Sequence, residues 1–95
     1  MTVLNIAFTQ IQNQEKMDAY IAAAAPLMRA YGAEVVVRGT YIKPLLGPQK
    51  APHIAGIFRF KDMETAERFY SCDEYRTLIP LREAAGEMTF QFYQE

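Results

Sequence analysis

An α+β sandwich is the fold class this sequence predicts, with helices on one face of a four-stranded antiparallel sheet. Three observations predict it. Four short segments alternate apolar and polar side chains, and the segments between them repeat apolar residues at steps of three and four. Their order is β-α-β-β-α-β. The length, 95 residues, suits one modest core, so residues 1–95 read as one domain without repeats, low-complexity stretches or a linker. Right-handed crossovers and one hairpin give the ferredoxin-like arrangement.

In the first strand, residues 3–11, Leu4, Ile6 and Phe8 alternate with Asn5, Ala7 and Thr9. Asn13 is a candidate N-cap, and residues 14–31 read as helix. Its apolar stripe is Met17, Tyr20, Ile21, Ala24, Leu27, Met28 and Tyr31. Pro26 is expected to kink or break that helix, and Gly32 to stop it. Residues 34–42 are β-branched and alternating, hence a second strand. Pro44, Gly47, Pro48 and Pro52 mark residues 43–53 as a loop. Residues 54–60 form the third strand. Asp62 caps a short helix that buries Ala66, Phe69 and Tyr70. Ser71-Cys72-Asp73-Glu74 matches a capping box, so a new helix starts there, interrupted by Pro80 and ended by Gly86. Residues 88–93 alternate again and form the last strand.

Parity divides the sheet into two faces. Leu4, Ile6, Phe8, Val35, Val37, Phe58, Phe60, Met88, Phe90 and Phe92 are expected beneath the helices. The other face collects Asn5, Ala7, Thr9, Ile11, Val36, Arg38, Ala55, Ile57, Arg59, Thr89, Gln91 and Tyr93. That set is too apolar for open water and too polar for a sealed core. It suits a homodimer joined sheet to sheet.

Ten basic against eleven acidic residues leave a net charge of −1, which gives no footprint for nucleic acid or an anionic membrane. No apolar run approaches the ~20 residues of a membrane span, and the N-terminus lacks signal-peptide character. A cytoplasmic location is the expectation. One cysteine, Cys72, excludes an internal disulfide, and one histidine, His53, cannot build a multi-histidine metal site. Neither a metal nor a cofactor is expected; a single axial histidine for haem is the weakest alternative. No phosphate-cradling glycine motif or paired-carboxylate signature occurs.

Arg82 falls on the apolar face of its helix with Tyr75, Leu78, Ile79 and Ala85. A guanidinium there needs a partner, either a structural carboxylate or the anion of a ligand. Arg38, beside Gly39, is a second candidate cation, with an interface ion pair as its structural alternative; the glycine suggests a bulge or close backbone approach. Tyr70 and Tyr75 are candidate hydrogen-bond donors to a ligand oxygen, alongside Tyr20 and Tyr41. His53 is the candidate general base, because histidine titrates near neutrality, but no Asp or Ser neighbour suggests a triad. Cys72, at a helix start, reads as structural.

Several stretches carry a family likeness: Val-Val-Val-Arg-Gly at 35–39, Phe60-Lys61-Asp62, Ala66-Glu67-Arg68-Phe69-Tyr70-Ser71, Glu74-Tyr75-Arg76 and Leu81-Arg82-Glu83-Ala84-Ala85. In order and spacing the chain resembles the domain-of-unknown-function family numbered thirteen-thirty, of the dimeric α+β barrel superfamily. The resemblance implies a ferredoxin-like protomer and a homodimer joined through the sheets. It implies no activity, since relatives in the wider superfamily include cofactor-free monooxygenases, lactone isomerases, haem enzymes and stress-responsive barrels. The leading expectation is a homodimer that binds a small, partly apolar, anionic molecule through Arg82, Arg38, Tyr70 and Tyr75, in a pocket between helices and sheet or between protomers. The rivals are a cofactor-independent monooxygenase or isomerase acting on a small carbonyl compound, and a structural dimer without a ligand.

Overall fold

A computed structural model describes residues 1–95. The elements are β1 (Val3–Ile11), α1 (Gln14–Ala30), β2 (Glu34–Thr40), β3 (Ile54–Phe60), α2 (Met63–Ser71), α3 (Asp73–Arg76), α4 (Ile79–Ala85) and β4 (Gly86–Gln94). The strands form one antiparallel sheet in the order β2-β3-β1-β4, the ferredoxin-like topology. No helix is long and apolar enough to cross a membrane.

Local chemistry explains the helix boundaries. Asn13 caps α1, its side chain accepting from the Lys16 N–H at 3.0 Å. Pro26 does not break α1: Pro26 and Ala22, whose carbonyl loses its partner, are both exposed, so water satisfies what the ring removes. Gly32 takes the left-handed conformation (φ +74°), and the Ala33 N–H closes back onto the Met28 carbonyl at 2.9 Å. The expected capping box at Ser71 does not form. The Ser71 hydroxyl instead donates backward to the Glu67 carbonyl at 2.8 Å, and Cys72 caps α3, its sulfur accepting from the Tyr75 N–H at 3.4 Å. Pro80 falls in the first turn of α4, where its missing N–H costs nothing, so it starts a helix rather than interrupting one.

The α4–β4 junction has no connecting residue. Gly86 ends the helix and begins the strand opposite Ile11. A β-carbon there would lie 2.1 Å from the Gln10 carbonyl oxygen, so this approach requires glycine. The Ala85 carbonyl accepts from the N–H groups of Gln12 and Asn13 at 2.9 and 3.1 Å, tying the exit of β1 to the end of α4.

Registers fix the two faces, and they correct the parity reading in two strands. Phe60 lies opposite Val3, Phe58 and Phe92 opposite Asn5, Phe90 opposite Ala7, and Met88 opposite Thr9. Val3, Asn5, Thr9 and Phe60 are buried, so this is the face beneath the helices. The aromatic residues of β3 and β4 therefore point inward as expected. β1 is reversed: Leu4, Ile6 and Phe8 point to the open face, and Asn5, Ala7 and Thr9 point to the helices. Inward polarity is tolerated because Asn5 is bonded, accepting from the Tyr70 hydroxyl and donating to the Gln91 carbonyl at 3.4 Å.

In β2 the pairing shifts between Val35 and Val37, leaving Val36 as an inserted residue. Past that bulge Val37 joins the open face opposite Ile57, and Arg38 turns to the helix face opposite Gly56. Gly39 is neither the bulge nor a close approach, since a β-carbon there would meet nothing. The open face thus carries Leu4, Ile6, Phe8, Val37 and Ile57, more apolar than parity predicted. Its arginine is paired: Arg59 donates to Glu95 at 2.6 and 3.1 Å and to Glu34 at 2.7 Å, while Glu87, opposite Gln10 near the end of the face, forms no ion pair.

Candidate functional site

Small residues face one another across the interior. Ala24 and Ala25 lie on the inner face of α1, and Ala7 and Gly56 are paired neighbours on the sheet below. Larger side chains around them cannot close the gap, and a cavity of about 80 Å³ remains, open at one side. Of its 17 lining residues, 14 are hydrophobic, so an occupant must be largely apolar. Phe58, Phe69, Phe90 and Tyr70 form an aromatic wall in which Tyr70 sits 4.7 Å from Phe69 and 5.3 Å from Phe90 between ring centroids. At Gly56 even a β-carbon would press on the Phe58 ring at 3.2 Å.

Arg38, Tyr20, Tyr70 and Thr9 bring polar atoms to this lining. Arg38 enters from the edge strand, exposed on its outer side, with its guanidinium carbon 5.8 Å from the centre of the Phe58 ring. It forms no ion pair; the acidic partners on β2 and at the C-terminus are taken by Arg59. Tyr70 donates its hydroxyl to Asn5, which is fully buried. Tyr20 shares a 2.8 Å hydrogen bond with the Tyr75 hydroxyl, which also accepts from Arg82 Nη1 at 3.1 Å. Burial, and then the neighbouring Tyr75, push the Tyr20 and Tyr70 phenols far above their ordinary range. Both therefore remain protonated donors at any working pH.

The four expected ligand-binding residues separate into two pairs. Arg38 and Tyr70 line the cavity. Tyr75 and Arg82 do not; Tyr75 stands behind Tyr20, and Arg82 borders a separate recess with Glu83, Gly86, Met88 and Phe90. The Arg82 guanidinium lies 5.7 Å from the centres of both the Tyr75 and Phe90 rings, a cation–π setting with no carboxylate partner. His53 lies on the opposite side of the sheet, beside Phe8 and stacked on Tyr41 at 4.5 Å. Its Nδ1 meets the Ala51 carbonyl at 2.7 Å, and a carbonyl only accepts, so Nδ1 carries the proton. The sheet separates that ring from the cavity.

Sequence reasoning missed Thr9 and Asn5, and ranked Tyr20, which lines the cavity, below Tyr75, which does not. The usable signal was the spacing of small residues: the alanine run at 22–25, with Ala7 and Gly56, marks where volume is missing. Clusters of histidine, cysteine and carboxylates that could hold a metal do not occur.

No curated protein matches the chain. Among solved structures, the RPA0582 protein of unknown function from Rhodopseudomonas palustris aligns with a TM-score of 0.88 at 17% identity, covering 99% of this chain and 82% of that one. SnoaB, a cofactor-independent oxygenase from Streptomyces nogalater, aligns at 0.73 and 9% identity, covering 99% and 92%. A dimeric protein of unknown function and ferredoxin-like fold from Bacteroides fragilis aligns at 0.64 and 14% identity, covering 99% and 96%. Identities this low speak to the fold alone. The family model described as Domain of unknown function (DUF1330) matches residues 2–95, nearly the whole chain that builds this sheet and cavity, and the chain belongs to that family.

Proposed function

We propose that this protein is a homodimer that binds a small, partly apolar anion in the cavity between α1 and the sheet. The observation that carries the reading is Arg38: a guanidinium with no acidic partner at the rim of an otherwise apolar cavity. A carboxylate held there would form charge-assisted hydrogen bonds while its apolar body displaces water from the interior. At about 80 Å³ the cavity is well below the ~300 Å³ of drug-sized sites, so the occupant is ring-sized or a short chain. Tyr70 would contact it, whereas Tyr75 and Arg82 would act one step back by holding Tyr20.

The dimer reading rests on the open face. Leu4, Ile6, Phe8, Val37 and Ile57 form an apolar surface whose one arginine is already neutralised. Such a face gains by association with its own copy. The Bacteroides fragilis neighbour, described as dimeric, supports the same assembly.

The enzymatic alternative needs a proton acceptor beside the substrate. The phenols that line the cavity are pushed upward, and His53 is across the sheet. The binding reading is therefore preferred. Calorimetric titration with benzoate and hexanoate tests it, with Arg38→Met as the control. Binding weakened about tenfold or more in the variant is expected; equal affinity, or no binding by either protein, overturns it.

A further inference from the structure

We propose that Thr9 is a specificity-determining residue, and that the natural ligand carries a hydroxyl or carbonyl oxygen in addition to its anionic group. The inference rests on the cavity being a binding site and goes on to name its ligand class. Thr9 lies on β1 beneath α1, lines the cavity and is only 4% exposed; its hydroxyl forms no side-chain hydrogen bond within the protein and is not enclosed, so it opens onto the cavity. It is distinct from the orphaned Thr65 hydroxyl, which does not line this cavity. A hydroxyl on the wall of an apolar cavity bonds to water or to an occupant, and an occupant that displaces that water without replacing its hydrogen bond loses affinity.

The other polar groups of the lining are already committed. Tyr70 donates to Asn5, and Tyr20 bonds to Tyr75. Thr9 and Arg38 are thus the two that form no side-chain hydrogen bond within the protein, one neutral and on the inner wall, one charged and at the rim. They stand two strands apart: Arg38 pairs with Gly56, which pairs with Ala7, and Thr9 is the next inward residue of β1. Strand spacing and rise put their α-carbons roughly 12 Å apart. Between them the floor is Ala7 and Gly56, with the Phe58 ring and the Arg38 stem close against the glycine. A short apolar body can lie along that floor, with its anion on Arg38 and its oxygen on the Thr9 hydroxyl. The ligand class is therefore a hydroxy or oxo acid with a compact apolar middle.

The test compares matched probes that differ by one oxygen, benzoate against 4-hydroxybenzoate and hexanoate against 6-hydroxyhexanoate. Each is titrated calorimetrically into wild type, Thr9→Val and Thr9→Ser. Valine keeps the shape of threonine and removes the hydroxyl; serine keeps the hydroxyl. Wild type and Thr9→Ser should prefer the oxygenated member of at least one pair by about fivefold to tenfold, and Thr9→Val should lose that preference. If all three proteins bind both members equally, the Thr9 hydroxyl bonds only to water and the inference is overturned while the cavity reading stands. If no probe binds any of the proteins, the binding reading fails and takes this inference with it.

Discussion

Tyr75→Phe removes one oxygen from the interior, and the consequence can be worked through. Tyr75 is 1% exposed, and its hydroxyl holds two partners, Tyr20 at 2.8 Å and Arg82 at 3.1 Å. Arg82 is only partly buried and can turn toward water, so its loss is small. Tyr20 is 9% exposed and cannot, and an orphaned buried hydroxyl costs about 1–3 kcal/mol. A net loss of about 2 kcal/mol is expected. For 95 residues the unfolding entropy is about 0.2 kcal/mol per kelvin, so the midpoint should fall by roughly 10 °C. The assay is thermal unfolding by circular dichroism at one fixed protein concentration, since association shifts the midpoint. The decisive comparison is Tyr20→Phe/Tyr75→Phe. Removing both hydroxyls leaves nothing orphaned between them, so the double variant should be more stable than Tyr75→Phe alone. A double variant that loses the sum of the two single losses would refute the pairing argument.

Gly86→Ala should be severely destabilising, by more than about 3 kcal/mol, because its β-carbon would sit 2.1 Å from the Gln10 carbonyl; near-native urea unfolding would contradict the close approach. Ile6→Glu places a charge at the centre of the open face and should yield a monomer by light scattering while the circular dichroism spectrum is kept; an unchanged dimer would remove that face from the interface. The hydrogen bond from Arg59, then that from Thr2, hold the Glu95 carboxyl below its ordinary range. Its folded value is depressed, so the stability it contributes is present above the ordinary carboxylate pKa and is lost as pH falls through the folded one. The gap in urea midpoint between wild type and Glu95→Gln should accordingly narrow as pH drops from 6 to 3, and a constant gap would show that ionised Glu95 adds nothing.

Much of this architecture can be read from the residues, and the exceptions have definite causes. Phe58, Phe60, Phe90 and Phe92 announce their inward direction because aromatic bulk on β3 and β4 has one place to go. β1 misleads because both of its faces serve: the larger residues Leu4, Ile6 and Phe8 supply the open face, while Ala7 and Thr9 leave room inside. Parity carries no information once each side of a strand has a use. Arg38 was recognisable as a cation of interest, but its direction depends on a bulge that three successive valines do not reveal. Arg82 was legible as an arginine on an apolar helix face; that a phenol and two rings would satisfy it, rather than a carboxylate, was not. The cavity itself is an absence, assembled from Ala7, Ala24 and Gly56 on three separate elements.

The extra residue at Val36 makes β2 a reversible selector. Pair all three valines regularly, with no bulge, and every later side chain of that edge strand changes sides: Val37 would fall opposite Gly56 and overlook the chamber, and Arg38 would leave it. The neighbouring strands would keep their places, because β2 is outermost and nothing pairs beyond it. Smoothing that bulge would thus convert an entrance guarded by positive charge into a greasy one, while the floor and the overlying helix stay as they are. Chains of this architecture have in that step a direct route from accepting acids to accepting neutral molecules.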